Sequence, residues 1–187
     1  MEGLKRRAVV LEMMERMNGY GSWSGETHVQ KCLYFLQELV GVPTGFRYIL
    51  YKHGPFSFDL RDELTAMRAD GLVEVYLKSP NYGPSLRPGP RAKDVMDLFP
   101  KTVKKYREQT DFVARWLSPK NVSELERLAT ALYVTREQPS GSSPEKRAKL
   151  LNQLKPHVSV EDALSAVRDV DQICEELMTE NHRGASS

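Results

Sequence analysis

The sequence predicts a mainly α fold with a small β element, a winged-helix-like helix-plus-hairpin unit followed by a C-terminal helical bundle. Three observations carry this expectation. Leu60, Leu64 and Met67 recur at helical spacing and stop at Asp70-Gly71. Leu72 to Lys78 then alternates as a strand does, Ser79-Pro80-Asn81 turns the chain, and Tyr82 to Arg87 can pair back as a second strand. From Pro88 onward the pattern is helical, and three of the helix starts carry local capping signals.

Each element follows from its own pattern. Ala8, Leu11, Met14 and Met17 place a first helix over Leu4 to Met17, ended by Asn18-Gly19. Val29, Leu33, Leu36 and Val40 mark a second over Thr27 to Val40, with Cys32 and Leu39 beside its apolar stripe and Gly41 as its stop. Phe46 to Tyr51 is aromatic and β-branched enough for a short strand. Lys52 to Ser57 contains Gly54-Pro55 and reads as a turn, with Ser57 capping the helix over Phe58 to Asp70. Arg91 to Phe99 and Val103 to Leu117 form one long or one broken helix. Ser123 with Glu126 suggests a capping box before the next, Ser143-Pro144 opens another, and Ser159 with Asp162 caps the last, whose stripe is Leu164, Val167, Val170, Ile173 and Leu177. The expected division is residues 1–99 for the helix-plus-hairpin unit and 100–187 for a helical extension, both within one compact domain.

Composition excludes several classes. With 27 basic and 25 acidic residues among 187, the formal charge of +2 carries no polyelectrolyte signal. Cys32 and Cys174 lie far apart on apolar helix faces, which argues for two plain thiols in a reducing compartment, not a disulfide framework. The basic start Lys5-Arg6-Arg7 is followed by an apolar run that Glu12 and Glu15 cut short, unlike a signal peptide, and no segment approaches the ~20 apolar residues of a spanning helix. A cytoplasmic location is expected, with no cofactor and no membrane association. Pattern alone leaves the oligomeric state open.

Three segments carry a family resemblance. Lys31-Cys32-Leu33-Tyr34-Phe35-Leu36-Gln37, then Tyr51-Lys52-His53-Gly54-Pro55-Phe56-Ser57, and Leu128-Ala129-Thr130-Ala131-Leu132-Tyr133 together resemble the YwgA-type proteins of bacteria and archaea. The relatives of that group include the antitoxin domain called Panacea, typified by the SocA-like proteins. The resemblance spans roughly Thr27 to Tyr133. It implies a compact helical fold with a small β element, no enzymatic activity, and binding to a protein partner such as a toxin or a defence-system component.

The residues themselves offer three candidate surfaces for a protein or nucleic-acid partner. With Leu60, Leu64 and Met67 inward, Arg61, Thr65 and Arg68 form a polar stripe on the helix that winged-helix proteins place in the major groove. Asp59, Asp62, Glu63 and Asp70 on the same helix oppose a phosphate backbone, which moves the expectation from duplex DNA toward a protein partner. Lys78, Asn81, Tyr82, Arg87 and Arg91 form a basic hairpin and exit, and the turn supplies Lys52, His53 and Ser57. A DNA-binding transcriptional regulator is the alternative. Catalysis is not expected, because His53, Ser57 and Asp59 lack a nucleophile elbow and Ser57 is explained as a cap. His28 and Cys32 sit one helical turn apart, yet no further ligands complete a metal site. Tyr34 and Phe35 are adjacent, so one of the two is expected at the helix edge, packed or presented as an anchor.

Overall fold

The computed structural model describes residues 1, 3–77, 83–139 and 141–184. It is mainly helical with a small β element. The order is α1 (Gly3–Gly19), α2 (Glu26–Glu38), β1 (Ile49–Tyr51), β2 (Gly54–Phe56), α3 (Phe58–Ala69), β3 (Val73–Tyr76), β4 (Ser85–Pro88), α4 (Ala92–Leu98), α5 (Pro100–Leu117), α6 (Val122–Glu137), α7 (Pro144–Leu154) and α8 (Val160–Gly184). No helix among the described residues is long and apolar enough to cross a membrane.

The chain divides into two compact units, Met1–Ile49 with Phe56–Val122, and Leu50–Pro55 with Ser123–Ser187. The boundary expected between residues 99 and 100 falls between α4 and α5, inside the first unit.

In the first unit α1 is the central helix, packed on α2, α4, α5 and β4. Ala8 to Met14 are buried without interruption, Glu12 included, so α1 has no solvent face along that stretch. Glu12 pairs in that setting with Arg16 at 2.8 Å and lies 3.7 Å from Arg107. In α2 the buried run is His28 to Leu36, and it takes in both Tyr34 and Phe35. Tyr34 meets Tyr48 edge-on at 4.9 Å, so neither aromatic is an exposed anchor. The amphipathic stripes read from the sequence underestimate burial here because two helices are enclosed on several sides.

The segment between α2 and α3 departs from expectation. The strand anticipated over Phe46 to Tyr51 is confined to Ile49–Tyr51. Phe46 is buried, and its backbone N–H donates to Gln37 Oε1 while its carbonyl accepts from Gln37 Nε2, both at 2.9 Å. Those groups are therefore lost to a ladder. The turn anticipated over Lys52 to Ser57 is shorter: Lys52 and His53 turn the chain, and Gly54–Phe56 pairs back on β1. Gly54 takes φ +81°, a conformation that glycine adopts without Cβ strain.

Ser57 is the cap the sequence indicated, its hydroxyl accepting from Leu60 N at 3.2 Å. Leu60, Leu64 and Met67 are buried as expected. β3 and β4 are antiparallel, with Val73 opposite Pro88, Glu74 opposite Arg87, Val75 opposite Leu86 and Tyr76 opposite Ser85. The hairpin returns so closely to the end of α3 that a Cβ on Gly89 would lie 2.5 Å from the Gly71 carbonyl oxygen, which reserves this position for glycine.

In the second unit α7 packs on α8. Ser143 and Ser159 cap these helices as read, accepting from Lys146 N at 3.4 Å and Asp162 N at 3.0 Å. Ser123 does not cap α6: the helix begins at Val122, which puts Ser123 inside its first turn and Asn121 at the cap position. Ala163, Val167, Val170 and Ile173 bury one face of α8 within the unit.

Candidate functional site

The described surface with the most partner-binding character is α3 with the β3–β4 hairpin. α3 is oriented from below by charge. Glu63 Oε2 accepts from Arg6 at 2.5 Å, Glu63 Oε1 accepts from Arg7 at 2.5 Å, and Arg7 also donates to Asp70 at 2.6 Å. Arg47 donates two bonds to Asp59, at 2.9 and 3.1 Å, and that guanidinium holds the Asp59 carboxyl below its ordinary range. Asp62 pairs with Arg61 at 2.9 Å. Each of the four carboxylates that the sequence set against a phosphate backbone is thus partnered by an arginine. Three of the four are answered by Arg6, Arg7 and Arg47, residues outside the helix, which the linear sequence did not connect to it.

The outer face of α3 carries Arg61, Thr65 and Arg68, all exposed. Arg61 stacks on Phe58 at 4.9 Å and Thr65 donates to the Arg61 carbonyl, so both side chains are ordered by the helix itself. The Arg68 side chain has neither hydrogen bond nor ion pair among the described residues. On the hairpin, Arg87 lies over the Tyr76 ring at 3.5 Å and is half-buried, which commits its guanidinium to a stack. Arg91 donates to the Asp70 carbonyl at 3.1 Å and sits 3.8 Å from Asp94, bracing the end of α3. Lys78, Asn81 and Tyr82 lie outside the described residues.

The hairpin also shows what its alternation concealed. Val75, Tyr76 and Leu77 are 40%, 38% and 68% exposed, although Val75 and Leu77 share their side of the strand with buried Val73. Burial of that side ends after Val73, and three consecutive large apolar residues face solvent.

Ser57 is not presented to any partner. It is fully buried, and Gln30 clamps its backbone, accepting from Ser57 N at 3.0 Å and donating to Ser57 O at 2.9 Å. Gln30 immediately precedes Lys31, so its amide ties the start of one of the three resembling segments to the Ser57 end of another. The His53, Ser57 and Asp59 grouping disperses: His53 goes to Glu126, Ser57 to the α3 cap and Asp59 to Arg47. His28 Nε2 lies 3.1 Å from the Lys120 carbonyl, and no group of three metal-ligating side chains occurs among the described residues. Burial lowers the His28 pKa, against the raising effect of that hydrogen bond. Cys32 and Cys174 are free thiols, each pushed up by burial and therefore poor nucleophiles.

Lys52 and His53 belong to the second unit, where they line a pocket of about 260 Å³ together with Glu126, Arg127, Lys155 and His157. Lys155 Nζ donates to the carbonyls of Tyr51 and Lys52 at 2.5 and 2.6 Å, and His53 Nδ1 lies 3.1 Å from Glu126 Oε1. Sequence reasoning missed this pocket. Its residues come from three stretches spread over more than a hundred positions, and no local pattern shows that those stretches meet.

No family model matches the chain, and no curated protein matches it.

Proposed function

We propose that the chain is a non-enzymatic interaction module of the Panacea and YwgA type, acting in the cytoplasm by binding a protein partner such as a toxin or defence-system component. The observation that carries this reading is the exposed run Val75-Tyr76-Leu77 on the hairpin. Apolar residues of this size favour a protein surface, because a phosphate backbone offers them nothing to bury against. The charges define the partner further. With the α3 carboxylates answered, Asp62 among them by Arg61, Arg68 leaves the outer face cationic and suited to an acidic surface with apolar residues beside it.

Co-purification with the products of neighbouring genes tests the proposal. A stoichiometric partner is expected, with Leu77→Ser and the pair Arg61→Glu, Arg68→Glu each weakening capture about tenfold or more while helicity is kept. Capture indifferent to all three changes places the interface elsewhere.

A duplex-DNA reading is favoured by one observation, the same internal neutralisation of the α3 carboxylates. Against it, Arg87 and Arg91 are both engaged within the chain. Under this reading affinity falls steeply with salt and Arg68→Ala lowers the salt slope. Absent or salt-insensitive binding removes it.

A further inference from the structure

The pocket of the second unit has a composition that the interaction surface does not explain. Lys52 comes from the β1–β2 turn, Arg127 from α6, and Lys155 and His157 from the connection between α7 and α8. Against these stand two carboxylates, Glu126 and Asp162. Glu126 is engaged by His53, and Asp162 lies in the first turn of α8, where the helix amides favour its charge. Among the described residues no ion pair joins either carboxylate to Arg127. That guanidinium is half-buried and has no hydrogen bond or ion pair among the described residues, a costly arrangement for a group with five donors.

Lys155 is already fixed for a ligand. Two of its three N–H donors are spent on the Tyr51 and Lys52 carbonyls, which immobilise the ammonium at the pocket wall and leave the third donor over. Burial lowers its pKa while Glu126 opposes the shift. A cation ordered before binding loses little side-chain entropy when an anion arrives. Ser123 adds a hydroxyl to the same lining, whereas the Thr130 hydroxyl donates to the Glu126 carbonyl at 2.7 Å.

We propose that this pocket binds a small ligand through a phosphoryl group, held by Arg127, Lys155 and Lys52. The cations come from three separate segments, and donors converging from several sides suit a tetrahedral group with three acceptor oxygens better than a planar carboxylate. The volume of about 260 Å³ lies just under the range usual for small-molecule sites and exceeds what a bare phosphate fills, leaving room for a short organic body beside Val158.

The test is a titration of the full chain with inorganic phosphate, followed by the ring resonances of His53 and His157, with chloride at matched ionic strength as the reference. Saturable shifts in the millimolar range are expected, weakened about tenfold or more by Arg127→Ala and also by Lys52→Ala. Among the described residues neither side chain has a hydrogen bond or ion pair, so thermal unfolding of the two variants should match the parent. Shifts that chloride reproduces, or that persist undiminished in both variants, overturn the site. Acetate binding as tightly as phosphate overturns the assignment to a phosphoryl group.

Discussion

Glu63→Gln is the substitution that best tests how α3 is held for its partner. Glu63 is 12% exposed and accepts from two arginines of α1, Arg6 and Arg7, each 2.5 Å away. Glutamine keeps one acceptor and turns an NH₂ group toward a guanidinium, so one charge-assisted bond is lost outright and the other keeps its charged donor but loses its charged acceptor. Such bonds contribute about 1.5–3 kcal/mol each. Arg7 retains Asp70, and Arg6 and Arg7 are 19–23% exposed, so water recovers part of the loss. Arg6 is served worse, because its Nε is already buried without a partner and its guanidinium is sandwiched against the Phe46 ring at 4.8 Å. The net cost is about 2 kcal/mol, within the range for breaking a partly buried charge network. Urea unfolding followed by circular dichroism should show a lower midpoint with an unchanged slope. A change under about 0.5 kcal/mol refutes the view that these pairs orient α3, because an ordinary surface substitution costs as much.

Two further outcomes follow from buried groups. The folded pKa of His28 lies below its unfolded value, so its contribution is fully present above about pH 6.5 and is lost as the pH falls toward the folded pKa; a pH series of urea midpoints should show that decline, and His28→Gln should flatten it. Asp171→Ala strands Arg147, whose side chain is 8% exposed and whose two bonds to Asp171 are both 2.7 Å, at a cost of about 3 kcal/mol, and the double replacement Arg147→Met, Asp171→Leu should recover most of it in the same measurement.

What was legible in the sequence was local. The caps at Ser57, Ser143 and Ser159 and the inward triplet Leu60, Leu64 and Met67 depend on residues within a turn or two of each other, and each appears as read. Failures occurred where a distant group competed for a backbone or a charge. Gln37, nine residues away, took the Phe46 backbone and shortened β1, whereas the miss at α6 is local, the helix starting at Val122 and so enclosing Ser123. The salt bridges from Arg6 and Arg7 to Glu63 cross more than fifty residues, and no periodicity or motif encodes them. Exposure was equally hidden, since alternation in β3 says which side chains share a face but not where the cover over that face stops.

The internal pairing of α3 also changes how charge bears on its use. Counted along the helix, the carboxylates Asp59, Asp62, Glu63 and Asp70 outnumber the arginines Arg61 and Arg68. Counted with their partners, Glu63 is answered by two arginines, Asp59 and Asp70 by one each, and Asp62 by Arg61, while among the described residues Arg68 remains without an acid. A partner approaching the outer face therefore meets a cation, whatever the helix's own tally says. Because long-range attraction follows net local charge and close binding follows what can be buried, Arg68 would steer an acidic partner and the Val75-Tyr76-Leu77 edge would hold it. The division makes the two mutational classes separable: Arg68→Glu should slow association most, and Leu77→Ser should speed dissociation, so a single kinetic binding trace distinguishes a surface that uses both features from one that uses either alone.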